Sequence, residues 1–244
     1  MQSRFVWAVL TICLAMSACR DTTEGIRTQF VGSYAFSATE RRTIARVAGL
    51  ATIEARKHLP ALPVQLVLQV QSGTDVIPEL GATAAAPGPE LITWTVDPGH
   101  PDGVVKIAET HLRAALLHEC HHLVRQRAVT GHTLMDDVVR EGLATAFERD
   151  VGGVAPLWGQ YTDDADKWVH EILALPPSAK RSDWLYQHPD GRRWIGIRAG
   201  TYLADRAMKT LNRTAAELVT TPTAEVLAAA GVTPASRGLL ESSR

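Results

Sequence analysis

Five consecutive residues, His118, Glu119, Cys120, His121 and His122, concentrate metal-binding and acid–base side chains in one short run. His118 and His122 stand four apart. On a helix that is about 400°, so both imidazoles leave one face about one turn from each other. Two imidazoles so placed can meet one small cation at Zn–N bonds of about 2.0–2.1 Å. Glu119 points about 100° round the helix, beside such an ion rather than onto it. That is where a general base must sit to take a proton from an activated water. Cys120 is a soft donor, but it lies about 200° from His118 and cannot join the same ion; it reads as a buried thiol. His121 lies about 60° from His118, on the side away from His122, and can either flank a cleft or serve the structure. His111 shares the face of His118 but lies about 10 Å along the axis, too far to share an ion.

The spacing is H-E-x-x-H, the helix pattern of zinc metalloproteases. Nine histidines in 244 residues make a chance match a real risk, so the surroundings must decide. A third ligand is on offer at Glu141, with 18 residues between it and His122. Taken alone, Glu141 is a solvated glutamate on an amphipathic helix. The spacing, however, resembles the gluzincin arrangement, in which a second helix returns beside the first and offers a glutamate. Glu141-Gly142-Leu143-Ala144 is similar to the E-G-x-A signature of that second helix. Small Gly142 and Ala144 would let two helices approach closely. Asp137 shares the face of Glu141. Either it accepts the second N–H of a zinc histidine, or it is a first-turn acid favoured by the helix dipole. A hydrolytic site also needs a donor for the oxyanion. Tyr202, His188, Tyr186, Tyr161 and Arg198 are candidates, and Tyr202 is preferred. Trp158, Trp168, Trp184 and Trp194 read as plugs between helices.

The elements that must position these groups lie on both sides of the run. Ser37 to Leu59 carries Ile44, Val47, Ala48, Ala51 and Ala55 at helical spacing, with Ser37 or Thr39 as cap and Pro60 as stop. Val64 to Gly73 alternates like a strand with one buried face. Gly81 to Pro89 is a small-residue loop or a weak strand, and Leu91 to Pro98 is a second clear strand. Ile107 to Ala128 holds neither Gly nor Pro and supports one long helix bearing the five-residue run. Thr130 to Thr133 breaks it, and Thr133 caps the next helix, Leu134 to about Asp150, which Gly152 and Gly153 end. Further helices are expected at Thr162–Leu175, Arg192–Leu211 and Thr214–Ala230. The order predicts one α+β domain, with a small, mostly antiparallel sheet from residues 64 to 98 packed on the active-site helix. A strand near Leu91 to Val96 would form the rim of the cleft and add an extended peptide to the sheet.

With these elements assigned, the chain resembles a family of bacterial predicted zinc-dependent proteases carrying a domain of unknown function. The shared motifs are H-E-x-H-H at His118 to His122 with Val124-Arg125 after it, and T-L-x-D-x-x-x-x-E-G-L-A from Thr133-Leu134 through Asp136 to Ala144. A looser match to W-x-G-Y-x-x-G runs from Trp194 to Gly200, with Ile197 where a tyrosine is expected and Tyr202 about a turn further on. The resemblance covers roughly residues 40 to 230. It implies a zincin-like metallopeptidase domain, with Zn2+ held by His118, His122 and Glu141 and with Glu119 as general base. The G-x-M-E-N segment of gluzincin aminopeptidases is missing; GATAA at Gly81 to Ala85 lacks the acid. That favours an endopeptidase or processing protease acting on peptides or proteins. Two other readings stand beside it: a lipid-anchored zinc-binding assembly module without turnover, and a zinc hydrolase acting on a non-peptide amide. An intact Glu119 argues against the module, because a structural ion has no use for it.

The N-terminus reads MQSRFVWAVLTICLAMSACRD. Arg4 precedes an apolar run from Phe5 to Met16, too short to span a bilayer comfortably. Ser17, Ala18 and Cys19 then resemble the lipobox of a bacterial lipoprotein, with Met16 where the pattern prefers Leu. The expected organisation is a signal peptide at 1–18, a tether at 19–36 and a single domain at 37–244. Cys19 would carry the lipid; a plain secretory signal with an incidental Cys19 is the alternative. Arg20 rather than Asp after the cysteine favours an outer-membrane anchor facing the periplasm if the cell is Gram-negative. Of three cysteines, Cys13 leaves with the signal, so Cys120 has no partner for an internal disulfide. A net charge of −1, with 45% hydrophobic and 21% charged residues, fits a globular domain and gives no support for nucleic-acid binding.

Overall fold

Two hairpins and one crossover build the sheet. The computed structural model describes residues 21–23, 25–176 and 178–232; the expected signal peptide and Cys19 lie outside the described residues. β1 (Asp21–Thr23), β2 (Ile26–Val31), β3 (Leu66–Ser72), β4 (Ala82–Gly88) and β5 (Leu91–Val96) form one sheet in the order β1-β2-β3-β5-β4. Between β2 and β3 the chain runs through α1 (Ala38–His58). That crossover makes β2 and β3 parallel, as a βαβ unit requires. β5 then lies parallel to β3, while β1 and β4 pair antiparallel with β2 and β5.

Three expectations are corrected here. The inner pairings are parallel, so the sheet is mixed rather than mostly antiparallel. Alternating burial in Leu66, Leu68, Val70 and in Ile92, Trp94, Val96 marks a half-buried strand without revealing its neighbour's direction. The segment 19–36 is not a plain tether: Ile26 and Thr28 are buried in β2 within the sheet. β5 has partners on both sides, so the edge strand beside the helical half is β4, not Leu91–Val96.

The helices follow their caps. Ser37 and Glu40 form a capping box at the start of α1, and Thr133 and Asp136 form another at the start of α4 (Leu134–Gly152). Gly153, at φ 81°, closes α4 in the left-handed conformation. The expected long helix at 107–128 is divided. α2 (Gly103–Ile107) passes through a π-helical turn at Ala108–Leu112 into α3 (Arg113–Ala128). Arg113, the first residue of α3, donates to Glu54 on α1 and to the carbonyls of Val151 and Gly152 at the end of α4. α5 (Ala165–Leu173), α6 (Arg181–Leu185), α7 (Ile195–Leu211) and α8 (Thr223–Ala229) complete an α+β fold. One hydrophobic core joins the buried face of β3 and β5 to α1, α3, α4 and α7.

The expected helix from Thr214 shortens to α8. Pro222, which has no N–H to continue a helix, caps α8, and the turns before it offer the carbonyls of Val219 and Thr221 to buried Arg125 at 3.2 and 2.9 Å. No helix among the described residues is long and apolar enough to cross a membrane.

Candidate metal centre

α3 and α4 are joined by a five-residue break and lie side by side, which brings residues 118–122 against residues 141–148. The rings of His118 and His122 stand edge to face with centroids 4.5 Å apart. Glu141 Oε2 lies 3.4 Å from Nε2 of His118 and 3.4 Å from Nε2 of His122. As a hydrogen bond, 3.4 Å is long. As an edge of a coordination tetrahedron it is the right length, since bonds of about 2.0–2.1 Å separate their donor atoms by about 3.3–3.4 Å. Arg140 donates to the other oxygen, Glu141 Oε1, at 3.2 Å, which leaves Oε2 turned to the histidines. A carboxylate oxygen of Glu119 joins the cluster within 4.8 Å of the histidine nitrogens. Glu141 Oε2, at 3.4 Å from both Nε2 atoms, is the nearer of the two carboxylates.

The electrostatics suit a cation. Burial disfavours an imidazolium at His118, yet hydrogen bonds to Glu141 and Glu148 outweigh it and hold the pKa well above the usual imidazole value. Burial likewise works against ionised Glu141, but the two histidines hold its carboxyl well below the usual range. Positive charge between these groups is therefore favoured. Glu119 is raised by burial, against the pull of His122 and His118. Its Oε2 is buried and finds no partner among the described residues.

Glu148 is the residue that the spacing argument missed. Its Oε2 lies 3.0 Å from His118 Nδ1, with both groups buried. With a cation held at Nε2, an ionised Glu148 would accept from Nδ1–H and so keep Nε2 turned to the cluster. Burial raises the Glu148 pKa, opposed by His118 and by a hydrogen bond from Trp158. The signal was there: Glu148 follows Glu141 by seven residues, two helical turns less about 20°. Asp137, the alternative considered for this role, is turned away into ion pairs of 2.8 Å with Arg140 and with Arg181. Replacing Glu148 with Gln is expected to weaken zinc binding by about 10–100-fold, measured by competition with a chromogenic chelator. Unchanged affinity would show that Glu148 does not orient the ligand.

The other candidates separate by position. Tyr202 does not reach the cluster. Its hydroxyl meets Asp166 at 3.3 Å and accepts from Arg206 at 2.9 Å on an outer face of α7. Tyr186, 57% exposed, is the tyrosine that feels the charges of Glu141 and Glu119. It opens a hairpin-like loop closed by Trp194 N–H donating to Tyr186 O, and Trp194 sits in the left-handed region at φ 58°. Cys120 is fully buried, and burial pushes its thiol up to about 12. His121 is also fully buried; its Nε2 lies 3.3 Å from Ala215 O, and its ring packs on Phe147. That gives His121 a structural place. Gly142 faces α7 at Gly200, not α3, so its smallness serves the α4–α7 crossing.

A family model described as Predicted Zn-dependent protease (DUF2268) matches residues 48–228. No curated protein and no solved structure matches the chain.

Proposed function

The chain belongs to this family of predicted Zn-dependent proteases, and from that premise we propose that it is a zincin-like zinc peptidase with His118, His122 and Glu141 as ligands. The observation that carries the reading is Glu141 Oε2 at 3.4 Å from both Nε2 atoms, a distance made for a shared tetrahedral ion. Zinc bound there would supply a Lewis acid for the scissile carbonyl and a fourth position for water. The remaining work falls to the chain's own side chains. Glu119 receives the water's proton on its unpartnered oxygen, holds it, and delivers it to the leaving amine. Glu148 keeps the His118 ring turned so that Nε2 faces the ion. Arg140 holds Glu141 Oε1 so that one oxygen alone turns inward.

Tyr186 replaces Tyr202 as the proposed oxyanion donor. Tyr186→Phe is expected to lower kcat by about 10²-fold with little change in KM, while Tyr202→Phe leaves both unchanged. Equal loss in the two variants would remove Tyr186 from the role. β4 is the edge strand beside α3, bridged by Ile77 at Ala82 and met by Gln126, which donates to Ala86 O at 3.4 Å. An extended peptide added to that edge would lie across the metal helix, as an endopeptidase needs. We place the enzyme outside the cytoplasm, anchored through acylated Cys19 to the outer membrane and facing the periplasm if the cell is Gram-negative.

The test pairs metal analysis with cleavage of an unbiased peptide library. Wild type should hold one zinc and cleave; Glu141→Ala should lose the metal and the activity together. Full zinc occupancy in Glu141→Ala would refute the ligand set. Full occupancy in wild type without any cleavage would favour the zinc-binding assembly module.

A further inference from the structure

We infer that the outer face of α1 is a membrane-docking surface that lays the domain on an anionic phospholipid bilayer. This rests on the proposed acylation of Cys19. Arg42, Arg46, Leu50, Ile53 and Lys57 recur at spacings of three and four along α1 and are all exposed. Leu50 is 58% and Ile53 38% exposed, unusual for large apolar side chains on a helix whose other face fills the core. Val64, 83% exposed, lies at the same edge: Arg56 donates to both Val64 O and Gly25 O, and Gly25, Ile53, Arg56 and Lys57 line one shallow depression. Among the described residues, only Arg46 of the three cations in the stripe pairs with an acid, Glu109 at 3.4 Å. Exposed apolar groups flanked by Lys and Arg are what an amphipathic helix presents to a headgroup layer.

The course of the β1–β2 hairpin relates α1 to the start of the described chain. In the sequence Cys19 stands two residues before Asp21, the first residue of β1. β1 pairs with β2 from Asp21 opposite Thr28 to Thr23 opposite Ile26. α1 runs back along this hairpin: Arg41 near its start lies 4.5 Å over the Phe30 ring, and Arg56 near its end reaches Gly25. β1 thus begins at the end of the hairpin where α1 starts, and an anchor attached two residues before it would hold the domain close to the lipid. Arg42, Arg46 and Lys57 fit phosphodiester headgroups, and Leu50, Ile53 and Val64 fit the upper acyl layer.

The experiment uses the full acylated chain in vesicles of phosphatidylcholine with or without phosphatidylglycerol. With Cys19 acylated and Cys120 buried, a thiol introduced as Leu50→Cys or as Lys209→Cys takes a polarity-sensitive dye alone. The Leu50 dye should be quenched by bilayer-embedded quenchers in phosphatidylglycerol vesicles, and the Lys209 dye should not. Each of Arg42→Gln, Arg46→Gln and Lys57→Gln should shift the ratio of docked to undocked protein by about five-fold, and high salt should act in the same direction. Acylated protein whose Leu50 dye is no better quenched than its Lys209 dye would overturn the docking face and leave the anchor standing. A chain whose mass shows no acyl group would overturn both.

Discussion

Glu119→Gln should keep a full complement of zinc and lose about 10²–10⁴-fold in peptide hydrolysis. The two halves of that result have separate causes. Glutamine keeps the size of the side chain and leaves His118, His122 and Glu141 in place, so the ion's surroundings are little altered. It cannot take up a proton, however, and no other carboxylate is free to do so. Glu141 faces the two histidines with one oxygen and Arg140 with the other. Glu148 is committed to His118 at 3.0 Å. Glu119 Oε2 is the buried carboxylate oxygen without a partner among the described residues. A buried carboxylate oxygen left without a partner is costly to maintain, which argues that it is kept for chemistry rather than packing. The check is metal content by mass spectrometry beside initial rates on a cleaved peptide. Hydrolysis at the wild-type rate in the zinc-loaded variant would end the general-base assignment.

What could be read in advance divides along physical lines. His118, Glu119 and His122 belong to one helical turn, and their geometry follows from the helix alone. Glu141 needed one long-range assumption, that the chain reverses at Thr130–Thr133, and the capping box of Thr133 with Asp136 supplies that reversal. Glu148 was missed although the same helix period points to it, because a buried glutamate announces itself only once the facing histidine is in place. Tyr186 and Tyr202 were inseparable for a stricter reason. Their positions depend on how α6 and α7 dock, and no local periodicity encodes that. The sheet shows the same limit: each strand's alternation was legible, while the insertion of β5 between β3 and β4 is set by packing across the whole domain. The π turn at Ala108–Leu112 was hidden because an extra residue in a helical turn leaves the run free of Gly and Pro.

Gly200→Ala should destabilise the fold by about 3 kcal/mol, the upper part of the range for overpacking, and lower Tm by about 6–12 °C in a chain of this size. A methyl group at Gly200 would collide with the backbone carbonyl oxygen of Val138 and stand 3.1 Å from the Cα of Gly142. These are main-chain atoms of a helix, so no side chain can swing aside; α7 must lift from α4. A methyl group at Gly196, one turn earlier, would stand 3.0 Å from Leu185 Cδ2, 3.1 Å from Trp184 O and 3.3 Å from Val138 Cγ2, so α7 is close-packed there against α6 as well as α4. Gly152→Ala supplies the contrast. A methyl there would meet Leu117 Cδ1 at 3.7 Å, an ordinary contact, so its effect should stay within about 1 kcal/mol and can be stabilising. The comparison separates collision from the loss of a flexible residue in the unfolded chain, because both substitutions change that equally. It also reaches the metal centre. Glu141 and Glu148 stand on α4, whose adjoining face, about 60–100° round the helix from Glu141, carries the seam with α7 at Val138 and Gly142. A lifted α7 should therefore loosen α4 and weaken zinc binding along with the fall in Tm. If Gly200→Ala melted within about 1 °C of wild type, the close approach of the two helices would be refuted, and with it the view that α7 is the wall against which the ligand helix is set.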